Sequence, residues 1–314
     1  MSLERESEVM SCASCGIAGV DEVKLKDCYH CDLVRYCSDA CQELHRPEHA
    51  GKCRKRAAEL RDEILFKYPE EILFKQPEST HLGDCPLCCL PVSVYLSKSV
   101  LYPCCSKYIC NVCDYANRKR EYEGRLERKC PFCRAAVPKT DEEEIELVVK
   151  RIEANDPIAT CGMGIKRYSE GNFEVAVEYW TRAAALGDVE AHYRLSMMYD
   201  EGKGVEKDEI KELHHLTEAA IGGHPDARHN LGLMEETNGR VDRAAKHYII
   251  AAKLGVGESL KSVKELYKDG HVNKDDFATA LRGHHAAIKA TESDQRKEAV
   301  AITEWLAERR SGAF

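Results

Sequence analysis

Cysteines dominate the front of this 314-residue chain: sixteen of the seventeen lie within the first 133 residues, most of them as pairs two residues apart. Cys12 and Cys15 form one CxxC and Cys28 and Cys31 another; Cys37 and Cys41 follow as CxxxC, and His49 with Cys53 closes the set as HxxxC. A CxxC turn aims two sulfurs at one point, whereas CxxxC and HxxxC place their ligands one helical turn apart on a single face. Thiolate and imidazole in such sets suit zinc, and eight ligands fill two tetrahedral sites. The elements needed to position them are two short knuckles followed by two ligand-bearing helices.

A second cluster opens with Cys85-Pro-Leu-Cys88 and closes with Cys130-Pro-Phe-Cys133-Arg134, with Cys104, Cys105, Cys110 and Cys113 between. The gaps suit a loop and a short helix, the latter over DYANRKREYEGRLERK from Asp114 onward. Eight cysteines again supply two tetrahedral sites. Closed four-thiolate sites hold structure and leave no open position for hydrolysis. Cys89 is the spare, expected as a buried small residue.

The bulk properties narrow the setting. A net charge of −8 argues against general binding to nucleic acid, which needs a basic footprint, and Lys52, Arg54, Lys55 and Arg56 read as a solvated helix end. The polar opening MSLERESEV has no apolar core of a secretory signal, and no run of about eighteen apolar residues spans a membrane. The expected setting is the reducing cytoplasm, with the nucleus also open, where paired thiols are metal ligands rather than disulfides.

Between the clusters the octets EILFKYPE (63–70) and EILFKQPE (71–78) are near duplicates, each stopped by a proline at Pro69 or Pro77. Ile64, Leu65, Phe66, Ile72, Leu73 and Phe74 are expected to pack between modules, although a linear motif shown twice to a partner is a second reading. Beyond residue 140 the chain changes character. Thr140-Asp-Glu-Glu143 is a capping box, and Asp156-Pro157 opens another helix. AAALGDVEAHYRL from Ala183 returns as EAAIGGHPDARHNL from Glu218 and loosely as AAKLGVGESLKSV from Ala251, with periods of 36 and 32 residues. Such periods predict stacked helix pairs, an α-solenoid, with Ala184, Ala191, Ala220, Ala227 and Ala252 at close helix approaches and Gly187, Gly223 and Gly255 at helix ends. Trp180, Tyr193, Tyr199 and Tyr248 read as core before they read as a concave binding surface; His284 and His285 read as solvated.

Three resemblances follow. The run CSDACQELHRPEHAGKC (37–53) resembles the closing pattern of the MYND zinc finger. That likeness implies interleaved zincs, one on Cys12, Cys15, Cys37 and Cys41 and one on Cys28, Cys31, His49 and Cys53, and a surface for partner peptides. His45 and Arg46 depart from the family's usual residues there, and His45 is the competitor to His49. The second cluster is similar to an all-cysteine RING finger. By that likeness Cys85, Cys88, Cys110 and Cys113 hold one zinc and Cys104, Cys105, Cys130 and Cys133 the other, Lys107 standing where a histidine ligand is usual. The same likeness implies a ubiquitin-conjugating enzyme as partner, met by Leu87, Pro131 and Arg134. The helical half resembles Sel1-like repeats, with YDEGKGV (199–205) as the most faithful copy.

The expected fold is mainly α: two small cross-braced zinc fingers followed by an α-solenoid of Sel1-like helix pairs. The expected domains are residues 9–55, a linker at 56–82, 83–138, and 141–314, with four zinc ions and no other cofactor. The expected function is a RING-type ubiquitin ligase whose outer modules select protein partners; the alternative is a non-catalytic adaptor. No nucleophile constellation or phosphate loop appears.

Overall fold

Most of the short helices in the helical half start on a side-chain cap, and most end at a glycine. In a computed structural model describing residues 11–17, 25–94 and 98–292, nine helices follow residue 140. They are α4 (Asp141–Glu153), α5 (Pro157–Ser169), α6 (Phe173–Ala185), α7 (Val189–Glu201), α8 (Glu209–Ile221), α9 (Pro225–Thr237), α10 (Val241–Lys253), α11 (Gly257–Lys268) and α12 (Lys274–Ala290). Asp156 caps α5 by accepting from the backbone N–H of Ile158 and Ala159, and Asp188 caps α7 through Ala191. At the matching place before α9 the cap is His224, whose Nδ1 accepts from Ala227 at 3.3 Å. Gly187, Gly223 and Gly255, with φ of 87°, 88° and 101°, turn the chain at the end of each pair, a conformation that disfavours a side chain.

Helices pair α5 with α6, α7 with α8 and α9 with α10, and each pair packs on the next. Small residues permit the close approach: Ala176, Ala183, Ala191, Ala219, Ala220, Ala227 and Ala252 are fully buried. A Cβ on Gly164 would meet the indole of Trp180 at 2.5 Å, and one on Gly232 would meet Tyr248 at the same distance. The two contacts are the same lock in two repeats, a bare position on the first helix receiving an aromatic ring from the second. Trp180 and Tyr248 are therefore core, as expected, and Tyr193 and Tyr199 pack beside it. His284, read as solvated, instead brings Nδ1 to the Ala252 carbonyl at 3.2 Å; His285 is exposed.

The front half has little regular structure. Strands β1 (Lys26–Asp27) and β2 (Arg35–Tyr36) pair antiparallel, as do β3 (Ser99–Tyr102) and β4 (Lys107–Cys110), with Ser99 opposite Cys110 and Tyr102 opposite Lys107. Helix α1 (Asp39–Leu65) is one continuous helix where two ligand-bearing helices were expected. Pro47 lies inside it; a single proline removes one hydrogen bond, and the good helix formers from Cys53 onward carry the helix through. The boundary expected at residue 55 thus falls within α1. A single turn, α2 (Glu70–Leu73), follows, and α3 (Asn111–Glu123) packs against the β3–β4 hairpin. Residues 9, 10, 18–24, 95–97 and 293–314 of the expected domains lie outside the described residues.

Candidate metal centres

Three knuckles share one backbone design. The N–H of Gly16 donates to the carbonyl of Cys12, that of Cys89 to Cys85, and that of Arg134 to Cys130, at 2.9 to 3.0 Å. A second bond closes each from the other side: Cys12 N to Ile17 O, Cys85 N to Leu90 O and Cys130 N to Ala135 O, at 2.8 to 2.9 Å. The residue after the second cysteine is left-handed in every case, with φ of 74° at Gly16, 52° at Cys89 and 65° at Arg134. Ser106, at φ 52° after Cys105, repeats the turn with its N–H on the Tyr102 carbonyl at 2.9 Å. Such a turn points two sulfurs to one side. It also corrects the expectation for Cys89, which is exposed at the knuckle's tip and joins no ligand group.

Four groups of ligand atoms converge, each within 4.8 Å: Cys12, Cys15, Cys37 and Cys41; Cys28, Cys31, His49 and Cys53; Cys85, Cys88, Cys110 and Cys113; Cys104, Cys105, Cys130 and Cys133. The groups interleave along the chain, first ligand pair with third and second with fourth, in both fingers. Sulfurs at 2.3 Å from a tetrahedral zinc lie about 3.8 Å apart. The separations fit: 3.5 Å for Cys15–Cys37, 3.6 Å for Cys37–Cys41, 3.7 Å for Cys28–Cys53, 3.8 Å for Cys88–Cys110 and Cys105–Cys130, and 3.3 Å for Cys104–Cys133. His49 brings Nε2 to within 3.2 Å of Cys31 Sγ. All are far longer than the roughly 2.05 Å of a disulfide.

Electrostatics explain why a cation belongs there. Burial opposes ionising Cys12, yet the N–H groups of Cys15, Cys37 and Ser14 bring its thiol down to about 6. In the same group hydrogen bonds from Cys37 to Cys15 and Cys41, together with burial, push Cys37 up to about 12. Donation from the Cys110 thiol, against burial, takes Cys85 down to about 4, while burial lifts Cys113 to about 12. Packed thiols cannot all ionise beside one another; a dication at the centre removes that repulsion and releases protons. Burial holds His49 below the usual histidine value, keeping the neutral ring a metal requires.

His45, the competitor to His49, is accounted for otherwise: its Nδ1 lies 3.0 Å from the Tyr36 hydroxyl and its ring stacks on His49. In the second finger Lys107 is exposed on β4, and Cys104 and Cys105 both take part in the fourth group. Of the three expected enzyme contacts, Leu87 is 40% exposed and Arg134 is exposed. Pro131 is buried, and Phe132, 44% exposed, stands at the tip in its place. In both CPxC knuckles the first inner residue is the less exposed of the two, Pro86 against Leu87 and Pro131 against Phe132.

Polar residues of α3 hold the fourth knuckle and were not singled out from sequence. Buried Glu121 accepts from the Lys129 backbone N–H at 3.0 Å, and buried Asn117 donates to the Lys129 carbonyl at 3.2 Å and to Glu121 at 3.0 Å. Tyr102 donates to buried Asp114 at 2.5 Å, and Arg118 pairs with Asp114 at 2.8 Å. The i, i+4 spacing of Asn117 with Glu121 and of Asp114 with Arg118 was the available signal.

A fifth group, His81, Glu190 and His224, joins the segment before the second finger to the solenoid. Because His224 Nδ1 receives the Ala227 N–H, its proton sits on Nε2 and goes to Glu190 Oε2 at 3.1 Å. Arg194 donates to Glu190 Oε1 at 2.7 Å, His81 Nε2 lies 3.4 Å from Oε2, and the His81 backbone donates to Gly223. Burial alone would raise the Glu190 carboxyl, but these donors outweigh it and hold it far below the carboxylate range. A nitrogen already carrying a proton has no lone pair for zinc, so this group is a hydrogen-bonded latch.

Comparison with known proteins agrees with the two ends of the chain. Residues 12–53 match the family model of the MYND finger. The first finger is a MYND finger. Residues 159–188, 189–224 and 225–256 match the Sel1 repeat, so that α5–α6, α7–α8 and α9–α10 are three such repeats. Among solved structures, the chain is similar to a Sel1 repeat protein from Oxalobacter formigenes (24% identity, TM-score 0.43, covering 55% of this chain and 50% of that one). It is also similar to c5321, a protective antigen present in uropathogenic Escherichia coli strains displaying an SLR fold (26% identity, TM-score 0.39, 52% and 36% covered). The chain spans half or less of the length of these two. No curated protein matches it. A MYND finger, Sel1 repeats and thiolate-rich groups make this a zinc-binding protein built from interaction modules. No helix among the described residues is long and apolar enough to cross a membrane.

Proposed function

We propose that the chain is a four-zinc scaffold, working in a reducing compartment, whose second finger acts as a RING-type ubiquitin ligase module. Its units are residues 9–55, 83–138 and 141–314, joined by 56–82. The finger would hold a ubiquitin-loaded conjugating enzyme so that the thioester lies aligned for attack, catalysis by positioning with no covalent intermediate. The observation that carries the reading is the complete second cross-brace. Cys104 and Cys105 both reach Cys130 and Cys133, and Leu87 and Arg134, in or beside the two CPxC knuckles, are exposed. A planar guanidinium fixed at a knuckle can bridge enzyme and ubiquitin with several donors at once. The MYND finger and the solenoid would select protein partners.

One observation favours a second reading, the non-catalytic adaptor: Pro131, an expected enzyme contact, is buried. Autoubiquitination with a panel of conjugating enzymes separates the two. The ligase reading expects polyubiquitin with at least one enzyme, reduced about tenfold or more by Arg134→Ala, equivalent to 1.4 kcal/mol of lost transition-state stabilisation. Inactivity across the panel, or full activity in the Arg134→Ala protein, leaves the adaptor.

A further inference from the structure

The duplicated octets meet a duplicated set of partners on the solenoid. The first copy is preceded by Asp62, which pairs with Arg240 at 3.0 Å; within it Leu65 is buried among Leu213, Leu216 and Leu231, and the Phe66 ring lies 5.1 Å from the Arg243 guanidinium. The second copy is preceded by Glu70, which pairs with Arg243 and Lys246, each at 3.1 Å; within it Leu73 is 0% exposed and Phe74 lies 5.1 Å from the same guanidinium. With the residue before it, each copy thus reads as an acidic residue, two spacers, then Leu-Phe. Arg243 stands between the two phenylalanine rings.

The receiving surface, formed by α8, α9 and α10, is prepared for such a segment. Fully buried Glu235 accepts from Arg240 and from Arg243, the latter at 2.9 Å, which fixes the cations that greet the acids. Arg228, also fully buried, donates to the Leu73 carbonyl and, at 2.6 Å, to the Ala220 carbonyl. A buried guanidinium turned to a main-chain carbonyl reads peptide backbone, whatever the side chains. Burial draws its pKa down to about 10, the mark of a charge held without full compensation. Phe74 rests on His247 at 4.8 Å beneath Lys246 at 4.7 Å. The rim of the contact is open: Phe66 is 61% exposed, and α2 is a single turn bounded by Pro69 and Pro77.

We propose that the α8–α10 face is a binding site for short segments of a partner protein with the pattern Asp/Glu-x-x-Leu-Phe, held in this chain by its own residues 70–74, which such a partner displaces. The inference goes beyond the ligase reading and does not depend on it, since the test involves neither zinc nor ubiquitin. The tether holds the chain's own segment at an effective concentration on the order of millimolar, so the native protein should bind a free copy only weakly.

The test uses the full-length protein and a fluorescein-labelled peptide of residues 68–78, YPEEILFKQPE, read by fluorescence anisotropy. Leu73→Ala with Phe74→Ala should release the cis segment and tighten peptide binding at least about tenfold. Adding Arg243→Ala, or using a peptide with alanine at the leucine and phenylalanine positions, should abolish the gain. Should the double variant fail to fold, Glu70→Lys sets a cation against Arg243 and Lys246 without touching the buried leucine, and the same gain is expected. A folded variant that binds no tighter than the native chain, or one that binds a scrambled peptide equally, overturns the proposal.

Discussion

Arg134 owes its exposure to a backbone that an arginine adopts reluctantly. Left-handed φ is costly for L side chains by about 1–2 kcal/mol, and glycine escapes that penalty. Gly16 shows the relaxed solution at the same place in the first finger, with φ 74° against 65° at Arg134. Arg134→Gly should therefore leave the second finger's stability within about 1 kcal/mol of the native value, while ubiquitin transfer falls as in Arg134→Ala. Chemical denaturation set beside the transfer assay checks this, and a large loss of stability would show the guanidinium to be a fold contact. The knuckles also fix which cysteines matter. Cys104→Ser should lose one zinc equivalent from the four that the ligand groups can hold, whereas Cys89→Ser, at an exposed tip, should lose none, as elemental analysis can count. The CxxC pairs were legible because two residues and one turn suffice to bring them together. Pro131 and Cys89 were not, because which knuckle residue faces solvent depends on the fold of the turn and not on residue type.

Among the elements, the solenoid's repeat was legible because each helix pair carries its own caps, small residues and terminal glycine. The links between elements were hidden, since Glu190, His224 and His81 are distant in sequence and each reads locally as ordinary. Histidines gather in this stack: His192, His215, His224, His229 and His247 are all held below the usual histidine value, first by burial, with His215 down to about 3. Depressed values make the folded state bind fewer protons than the unfolded chain below about pH 6.5, so stability must fall as pH falls. Their contribution is whole above that value and is lost progressively toward the folded-state values. Glu190 adds to the loss further down, because its carboxylate is stabilised in the fold and gives way only below the ordinary carboxylate range. Thermal unfolding followed by helical circular dichroism should show a lower midpoint at pH 5 than at pH 7, and His215→Gln should make that drop shallower. A midpoint independent of pH would mean these rings are solvated.

Across the whole molecule, metal and packing divide the work unevenly. The fingers have few core residues beyond their ligands: the first gathers Tyr36 with its cysteines, the second Val92, Tyr102 and Ile109. Such small cores rarely fold alone, and structural zinc contributes on the order of 10–16 kcal/mol of apparent binding energy per site in zinc-finger peptides. The solenoid has four hydrophobic clusters, one of them shared with Leu65, and no thiolate group among the described residues. Between them α1 plays both parts, carrying Cys41, His49 and Cys53 near its start and Leu65 in the solenoid at its end. Its far end is tied by Asp62 to Arg240 and by Arg61 to Asn238 at 2.7 Å, contacts that need no metal. A strong zinc chelator should therefore open the first finger and the second while the linker stays docked. Limited proteolysis of the chelated protein should cut within residues 11–53 and 83–138 and leave an intact fragment beginning near α1's last turns and a second containing α4 to α12. Those two should remain associated through Leu73, Phe74 and Arg228 until denatured. If chelation instead frees the linker segment to protease, the zinc sites and the solenoid face are one cooperative unit, and the docking of residues 62–74 depends on the fingers rather than on the surface that receives them.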